Sequence, residues 1–598
     1  MQTLCMKFFF LLITFLLPTP SLHGWFLDPD LVRIANKSPI ELFVAIYYVR
    51  NGTGYRTAGP FYLPLDNAVH IELPSPKFLH TRRLIATSTP EELSEEKDLS
   101  TMQEITLGLF NQADYTVTLN PMNAAPHICD TATWRTYAPI PTFTPILLAH
   151  EPLAAEKEFM IKRMLTTQRA QERYCSQPLT RPLHIGFCAS GGGFRAMLAT
   201  AGVVSGLEQL GILPMIDTCL GLSGSTWFLF PWVLSRLDPT AYTAQLVHWL
   251  GQGIIHHIAQ QYHDFATIIA TKKAHQLYIS GIDMYGISLA YTLLKPLHAT
   301  PLALTTNDIA EVLKPEDYPL IIGSAVTRPQ PSDPYEWVTC SPFAMTLLND
   351  HLTVPSALVG AQFHNHQQLT APPAPLLCYL LGIFGSSFSI SIRDALERVP
   401  EALQPLLHRI LPESWHTKSW INAKITAAKI ANPRYKTDHS SHAAIKSMAL
   451  VDGGYLNNLP LEPCVRASAT PYDLLIVLDC KQERPNRIKA LRHAVAALKA
   501  DAPWLPEIDE TAITLLPFSV HGNPASGPVV IYCTVEGDEA YDATFNPAAD
   551  PAYATPRLIY PFERAERLSR YMTQVITSHK EVFESIIKTL GERVKPQL

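Results

Sequence analysis

Three stretches hold residue types that together could do nucleophilic chemistry. In "GFCASGGGFRAM" (186–197) three consecutive glycines join an apolar run to a helical one. N–H groups at a helix start lack partners and carry the positive end of the dipole, so such a loop can hold an oxyanion or a phosphate. Two nucleotide signatures are excluded: "GGGFRA" has no third glycine in register for G-x-G-x-x-G, and no Gly-Lys-Ser/Thr follows. In "GLSGSTW" (221–227) Ser223 stands at a sharp turn between the apolar "MIDTCLGL" and the helical "STWFLFPWVLSRL". That is the setting of a nucleophile elbow, with Ser225 where G-x-S-x-G ends in glycine. In "MALVDGGYLNNLPLEP" (448–463) Asp452 closes an apolar strand, and Gly453 and Gly454 let the chain turn away from it. Its carboxylate is thereby left at a strand's carboxyl end, where sites in open α/β sheets collect. Each stretch alone reads as an ordinary tight turn. The three together favour a functional site.

The elements that must position these residues are those of an α/β domain. After the proline-rich "APIPTFTPILL" (138–148), "EKEFMIKRMLTTQRAQERY" has helical periodicity and leads into the strand "LHIGF". Helical and apolar strand-like segments then alternate to the C-terminus, as on a largely parallel sheet. The last segment, "ERAERLSRYMTQVITSHKEVFESIIKTLGERV", reads as one long helix. Before residue 140 the pattern changes to short pieces such as "ELFVAIYYV", "RRLIATS" and "YTVTLN" between turn residues, which predicts a small all-β, sandwich-like unit. The acidic "PEELSEEKDLS" (90–100) reads as a solvated loop and lacks calcium-loop spacing. At the N-terminus, Lys7 precedes an apolar core of ten residues, Phe8 to Leu17, broken only by Thr14, and then "PTPSLHG". This pattern fits a secretory signal over 1–24 and is short for a membrane span. The expected organisation is therefore a signal peptide at 1–24, a β-rich domain at 25–140 and a catalytic α/β domain at 150–598, with the chain exported.

A net charge of −6 gives no basic footprint, so nucleic acid is not an expected partner. Nine of the ten cysteines lie beyond the presumed signal. Their number is odd, no C-x-x-C occurs, and several sit in apolar runs, so they read as buried small hydrophobes. His256, His257 and His263, and His364 with His366, lack carboxylates or cysteines at ligand spacing; neither a metal nor a cofactor is expected.

The motifs "SGGGFRAM", "GLSGSTWFL" and "VDGGYLNNLPLEP" resemble those of the cytosolic (group IV) phospholipase A2 and fungal phospholipase B family, which is related to patatins. Weaker similarity extends through "YEWVTCSPFAM", "YLLGIFGSSFSISI" and "DLLIVLDC", so the resemblance covers about residues 150–598. It implies a serine hydrolase with a Ser–Asp dyad and no catalytic histidine, acting on phospholipid or lysophospholipid at a membrane surface. By motif position, Ser223 is the nucleophile and Asp452 the base, and the amides of Gly192 and Gly193 form the oxyanion hole. Arg195 would neutralise the phosphate head group or the developing charge, and "YLLGIFGSSF" would line an acyl channel. The calcium-dependent membrane-binding module of cytosolic relatives is not recognisable. Oligomeric state and sn-1 or sn-2 preference are left open.

Two other readings compete. A Ser-His-Asp esterase of α/β-hydrolase type would use His493, His521 or His579. Alternatively, the scaffold could bind lipid without catalysis. The stretch 414–446 carries six Lys/Arg and two tryptophans, and Lys424, Lys429 and Arg434 in it are candidates for contact with anionic lipid.

Overall fold

The computed structural model describes residues 153–596, apart from 253–266, 387–426 and short gaps between 270 and 559, together with the strand backbones between 31 and 130. The signal expected at 1–24 lies outside the described residues. Two compact units are present, Leu12–Pro141 and a larger one containing Thr142–Leu598.

In the smaller unit the described strands are β1 (Leu31–Asn36), β2 (Leu42–Arg50), β3 (Thr53–Leu63), β4 (Ala68–Glu72), β5 (Arg82–Thr87), β6 (Glu96–Asp98), β7 (Ile105–Leu107), β8 (Ala113–Leu119) and β9 (Pro126–Asp130). They form one sheet of order β4-β1-β8-β9 and another of order β6-β3-β2-β5-β7. The acidic stretch is not wholly a loop: Glu96–Asp98 pairs antiparallel with Thr53–Tyr55. Backbone pairing there overrides the poor strand propensity of glutamate and aspartate.

The larger unit is built on an 11-stranded sheet. Its centre holds β12 (Leu320–Arg328), β11 (Thr218–Leu222), β10 (Ile185–Ala189), β20 (Leu474–Asp479) and β22 (Val529–Thr534), each parallel to the next. Beyond β12 the strands β13 (Glu336–Cys340), β14 (Ala344–Leu347) and β15 (Leu352–Pro355) continue antiparallel, and β21 (Phe518–Gly522) closes the other side. A separate pair, β16 (Phe363–His364) and β17 (Gln367–Gln368), stands apart, while β18 (Ala428–Ala431) pairs with β19 (Ser447–Asp452). The parallel strands are buried along their length except at the last residue of β12, Arg328, as in sheets covered on both faces.

The helices that matter for the site are α1 (Ala154–Cys175), α2 (Phe194–Gln209), α3 (Thr226–Ser235), α4 (Gly281–Leu289), α5 (Leu377–Phe384), α6 (Leu461–Arg466), α7 (Arg484–Leu498), α8 (Phe562–Thr577) and α9 (Lys580–Arg593). The single C-terminal helix expected from sequence is two, α8 and α9. At the break, His579 Nδ1 lies 2.7 Å from the Val575 carbonyl, and its ring stacks on Phe518 at 3.9 Å. The histidine thus caps the last turn of α8 from its side chain, which ends the helix where periodicity alone would continue it.

Candidate active site

The first two motifs follow the carboxyl ends of the central strands β10 and β11, and the third follows the carboxyl end of β19, which pairs antiparallel with β12. β10 ends at Ala189 and runs through Ser190 and the glycines into α2. Gly193 is the N-cap of α2, with φ 60° and ψ −142°, a conformation open to glycine and strained for other residues. Among the described residues the amides of Gly192 and Gly193 have no acceptor, so both are available to an oxygen on a ligand.

Ser223 follows β11 directly. Its φ of 54° is positive, a backbone geometry that costs a serine roughly 1–3 kcal/mol and persists only where the surroundings fix it. They do. Its carbonyl accepts from Thr226 Oγ1 at 2.6 Å, starting α3. Gly224 packs on the glycine loop so closely that a Cβ there would lie 1.9 Å from the Gly193 oxygen. Ser225 accepts from Thr200 Oγ1 at 2.9 Å and donates to the Ser190 carbonyl at 2.6 Å. The serine that replaces the last glycine of the elbow pattern therefore ties the two loops together.

Asp452 reaches the same point from the other direction. β13 pairs with Gly323–Thr327 of β12 and β11 with Leu320–Ser324, so β11 and β13 must occupy opposite edges. β19 pairs with Ala325–Arg328, overlapping β13, and so takes the edge that β11 has just left. β11 ends with Leu222 opposite Ser324, and β19 runs towards it and ends with Asp452 opposite Ala325. Their partners are one residue apart along β12, a step of ~3.3 Å. Asp452 is fully buried. Its N–H donates to Ser386 Oγ at 2.9 Å, and its Oδ1 accepts from Gly454 N at 2.8 Å, which fixes the carboxylate against its own turn.

Arg195 is almost fully buried. Its Nε donates to the Cys480 carbonyl at 2.7 Å, Nη1 to Tyr553 O at 2.7 Å and Nη2 to Thr555 Oγ1 at 2.9 Å. Burial pulls the guanidinium below its usual pKa. Nη2 lies 2.9 Å from where a Gly192 Cβ would be, so the positive charge borders the free amides while its donors hold the end of β20 and the 553–555 loop.

Sequence reading missed several supporting residues. Asn458 Nδ2 donates to Gly191 O at 3.0 Å, and its carbonyl accepts Gly191 N at 3.1 Å, joining the third motif to the first. Ser190 Oγ accepts Cys480 N at 2.7 Å. Tyr285 on α4 has a buried hydroxyl with no partner among the described residues; burial, and then the Asp452 charge, push its pKa up. Asn458 and Ser386 do lie inside the quoted motifs, but nothing in their spacing marks them.

Of the stretch "YLLGIFGSSF", Tyr379–Phe384 lie in the buried α5, whose Leu381 carbonyl accepts from Trp227 Nε1 at 3.1 Å, and Ser386 just after it meets Asp452. The rival histidines are engaged elsewhere: His493 with Asn457, His521 with Ser519, and His579 with Val575. Arg434 does not face lipid, contrary to the sequence reading. It is buried, with Nη2 2.9 Å from Glu336 Oε2 and a further ion pair to Asp350. Lys429 is exposed, 4.7 Å from the centre of the Tyr278 ring, and Lys424 lies outside the described residues. No group of three His, Cys, Asp or Glu among the described residues could hold a metal ion, and no described helix is long and apolar enough to cross a membrane.

Comparison with known proteins agrees with this fold. Mouse cytosolic phospholipase A2 zeta is 26% identical over 253 residues, 40% of this chain and 29% of its own length. Human cytosolic phospholipase A2 epsilon is 25% identical over 271 residues, 43% of this chain and 30% of its own. The chain thus spans about three tenths of these curated relatives. The structure of human GIVD cytosolic phospholipase A2 superposes with a TM-score of 0.61 at 14% identity, over 92% of this chain and 81% of that one, and shows the same fold. A structure of that human protein with methyl γ-linolenyl fluorophosphonate gives 0.57 at 16% identity. Residues 185–489 match the family described as the lysophospholipase catalytic domain, and the chain belongs to that family.

Proposed function

We propose that the protein is a lipid acyl hydrolase that cleaves fatty-acyl esters of glycerophospholipids or lysophospholipids through an acyl-Ser223 intermediate. The observation that supports this reading is the head-on meeting of β11 and β19, whose ends carry Ser223 and Asp452, near the Gly192 and Gly193 amides, which have no acceptor among the described residues. Ser223 Oγ attacks the ester carbonyl and Asp452 takes its proton. The Gly192 and Gly193 amides hold the oxyanion, the alcohol or lysolipid leaves with the proton, and water then releases the fatty acid. One preorganised donor in such a site is worth about 3–4 kcal/mol, far more than the strain at Ser223 costs. The human structural relative is known in complex with a compound that carries a linolenyl chain, which supports a fatty-acyl ligand for this fold. Contact with a membrane surface follows from the substrate, and export is proposed from the apolar Phe8–Leu17 segment.

The test is fatty-acid release from mixed phosphatidylcholine and lysophosphatidylcholine micelles in the presence of chelator. Ser223→Ala and Asp452→Asn should each lower it by at least about 10³-fold. Asparagine keeps an acceptor for the Gly454 amide, so that variant separates proton transfer from folding. Release that persists in either folded variant would refute the dyad.

A further inference from the structure

At the opposite rim of the sheet, where the parallel strands begin, three other residues form a second hydrogen-bonded relay. His184 immediately precedes β10, and its Nδ1 lies 2.8 Å from Asp217 Oδ2, immediately before β11. Its Nε2 lies 2.8 Å from Ser468 Oγ, just after α6. Asp217 is buried and acts only as an acceptor: Oδ1 takes Thr167 Oγ1 at 2.9 Å and Oδ2 also takes Ile185 N at 3.0 Å. A carboxylate oxygen accepting at Nδ1 selects the tautomer with the proton on Nδ1, which turns Nε2 towards Ser468 as an acceptor. The ring is clamped by stacking on Tyr472, 4.4 Å between centroids and 10° between planes. Ser468 is only part-buried, and its single proton is shared between Nε2 and the Thr470 carbonyl at 2.6 Å.

This relay opens on a cavity of about 280 Å³ whose lining includes His184, Ser468, Met160, Leu320, Ile322 and Arg466. Met160, Leu320 and Ile322 give it apolar walls, and His184, Ser468 and Arg466 stand among further polar and charged groups, so it can take a small ligand with both apolar and polar parts. It lies about five strand residues from Ser223, roughly 17 Å at the usual rise per residue, so it is separate from the site described above.

We propose that Ser468, His184 and Asp217 are a second nucleophilic site, for short-chain carboxylic esters that a cavity of this size can admit. Ser468 Oγ bonds to the acyl carbon while its proton passes to His184 Nε2. The ester C–O bond breaks and the departing alkoxide takes that proton. Water then adds to the acyl carbon, giving its proton to Nε2, and the acid leaves as Ser468 recovers its O–H. No pair of free amides borders Ser468 among the described residues, so turnover is expected to be about 10²–10³ below that of a site with an oxyanion hole.

The full-length Ser223→Ala protein decides the matter, with a small fluorophosphonate and p-nitrophenyl acetate as probes. Peptide mass spectrometry should find the phosphonyl group on Ser468, and Ser468→Ala on the same background should cut ester hydrolysis at least tenfold. Asp217→Asn should abolish labelling while circular dichroism stays native; if that variant does not fold, Ser468→Ala alone carries the test. The wild type is labelled in parallel. Modification of Ser223 without Ser468 in folded protein, or hydrolysis indifferent to Ser468→Ala, would overturn the second site and leave the first intact. Modification of Ser468 alone would do the reverse.

Discussion

Leu222 and Asp452, 230 residues apart in sequence, end two strands that meet head-on along one edge of β12, opposite the neighbouring residues Ser324 and Ala325. β11 arrives parallel to β12 and β19 antiparallel, so two carboxyl ends face each other, and the side chains at the joint come from both. Backbone pairing in this way brings together the strand ends that carry Ser223 and Asp452, the residues proposed as nucleophile and proton acceptor.

The end of β19 is anchored by Ser386, whose hydroxyl accepts the Asp452 N–H. Ser386→Ala leaves that buried N–H unpaired, at a cost of about 1–3 kcal/mol, and loosens the carboxylate. On phosphatidylcholine micelles kcat should fall about tenfold or more with KM little changed, and Ser386→Thr should restore most of it. An unchanged kcat in Ser386→Ala would show that the Gly454 contact suffices.

Ser225→Gly would create the commoner elbow pattern yet should destabilise the protein. It removes the Thr200 to Ser225 to Ser190 chain and leaves Thr200 and the Ser190 carbonyl buried without those partners. Denaturant unfolding should show a loss of about 1–3 kcal/mol. A gain in stability would mean that the tie between the loops is dispensable.

Arg195 uses its donors on two backbone carbonyls and a threonine, so its first effect is on the shape of the loop beside the free amides. Arg195→Lys, which cannot reproduce a three-point fork, should lower kcat/KM about equally on phospholipid and on an uncharged fatty-acyl ester. A loss confined to the phospholipid would instead identify the guanidinium as a phosphate ligand.

Acid stability should depend on Glu536. Burial opposes its ionisation, but Arg484 and Arg487, with Nη2 and Nη1 at 2.8 and 3.0 Å, outweigh it and hold its pKa below the usual value. A depressed carboxylate stabilises the fold above the unfolded-state pKa of about 4.3, and that contribution is lost as pH falls through the lower folded value. Glu536→Gln should cost about 3–5 kcal/mol at neutral pH, because Arg487 stays buried, and should flatten the acid limb of a stability-against-pH curve. A limb as steep as that of the wild type would place the acid sensitivity elsewhere.

The parts of this site that reside in local sequence were legible. Glycines entering a helix, a serine at a strand-to-helix turn and an aspartate before two glycines each mark a backbone geometry that only some residues tolerate, and the structure places all three at the same strand ends. What sequence could not show depends on partners far away. Arg195 reads as a ligand for phosphate until Cys480, Tyr553 and Thr555 surround it. Arg434 reads as a surface cation until Glu336 and Asp350 bury it. The α8–α9 break depends on a histidine that finds a carbonyl one turn back, a contact invisible to periodicity. His184, Asp217 and Ser468 come from three connections at strand starts and helix ends, and no spacing among them suggests a relay.

The head-on joint also sets an order of assembly. The serine turn needs only β10, β11 and β12, whereas the aspartate joins β12 only after the chain between Ala325 and Asp452, 127 positions apart, has been closed into a loop. Such closure is entropically slow compared with local helix and turn formation. During refolding from denaturant, the fluorescence of the buried Trp232 on α3, which packs on Phe228 and Tyr318, should therefore reach its native value before catalytic competence returns, so that activity reports the last long-range docking of the chain.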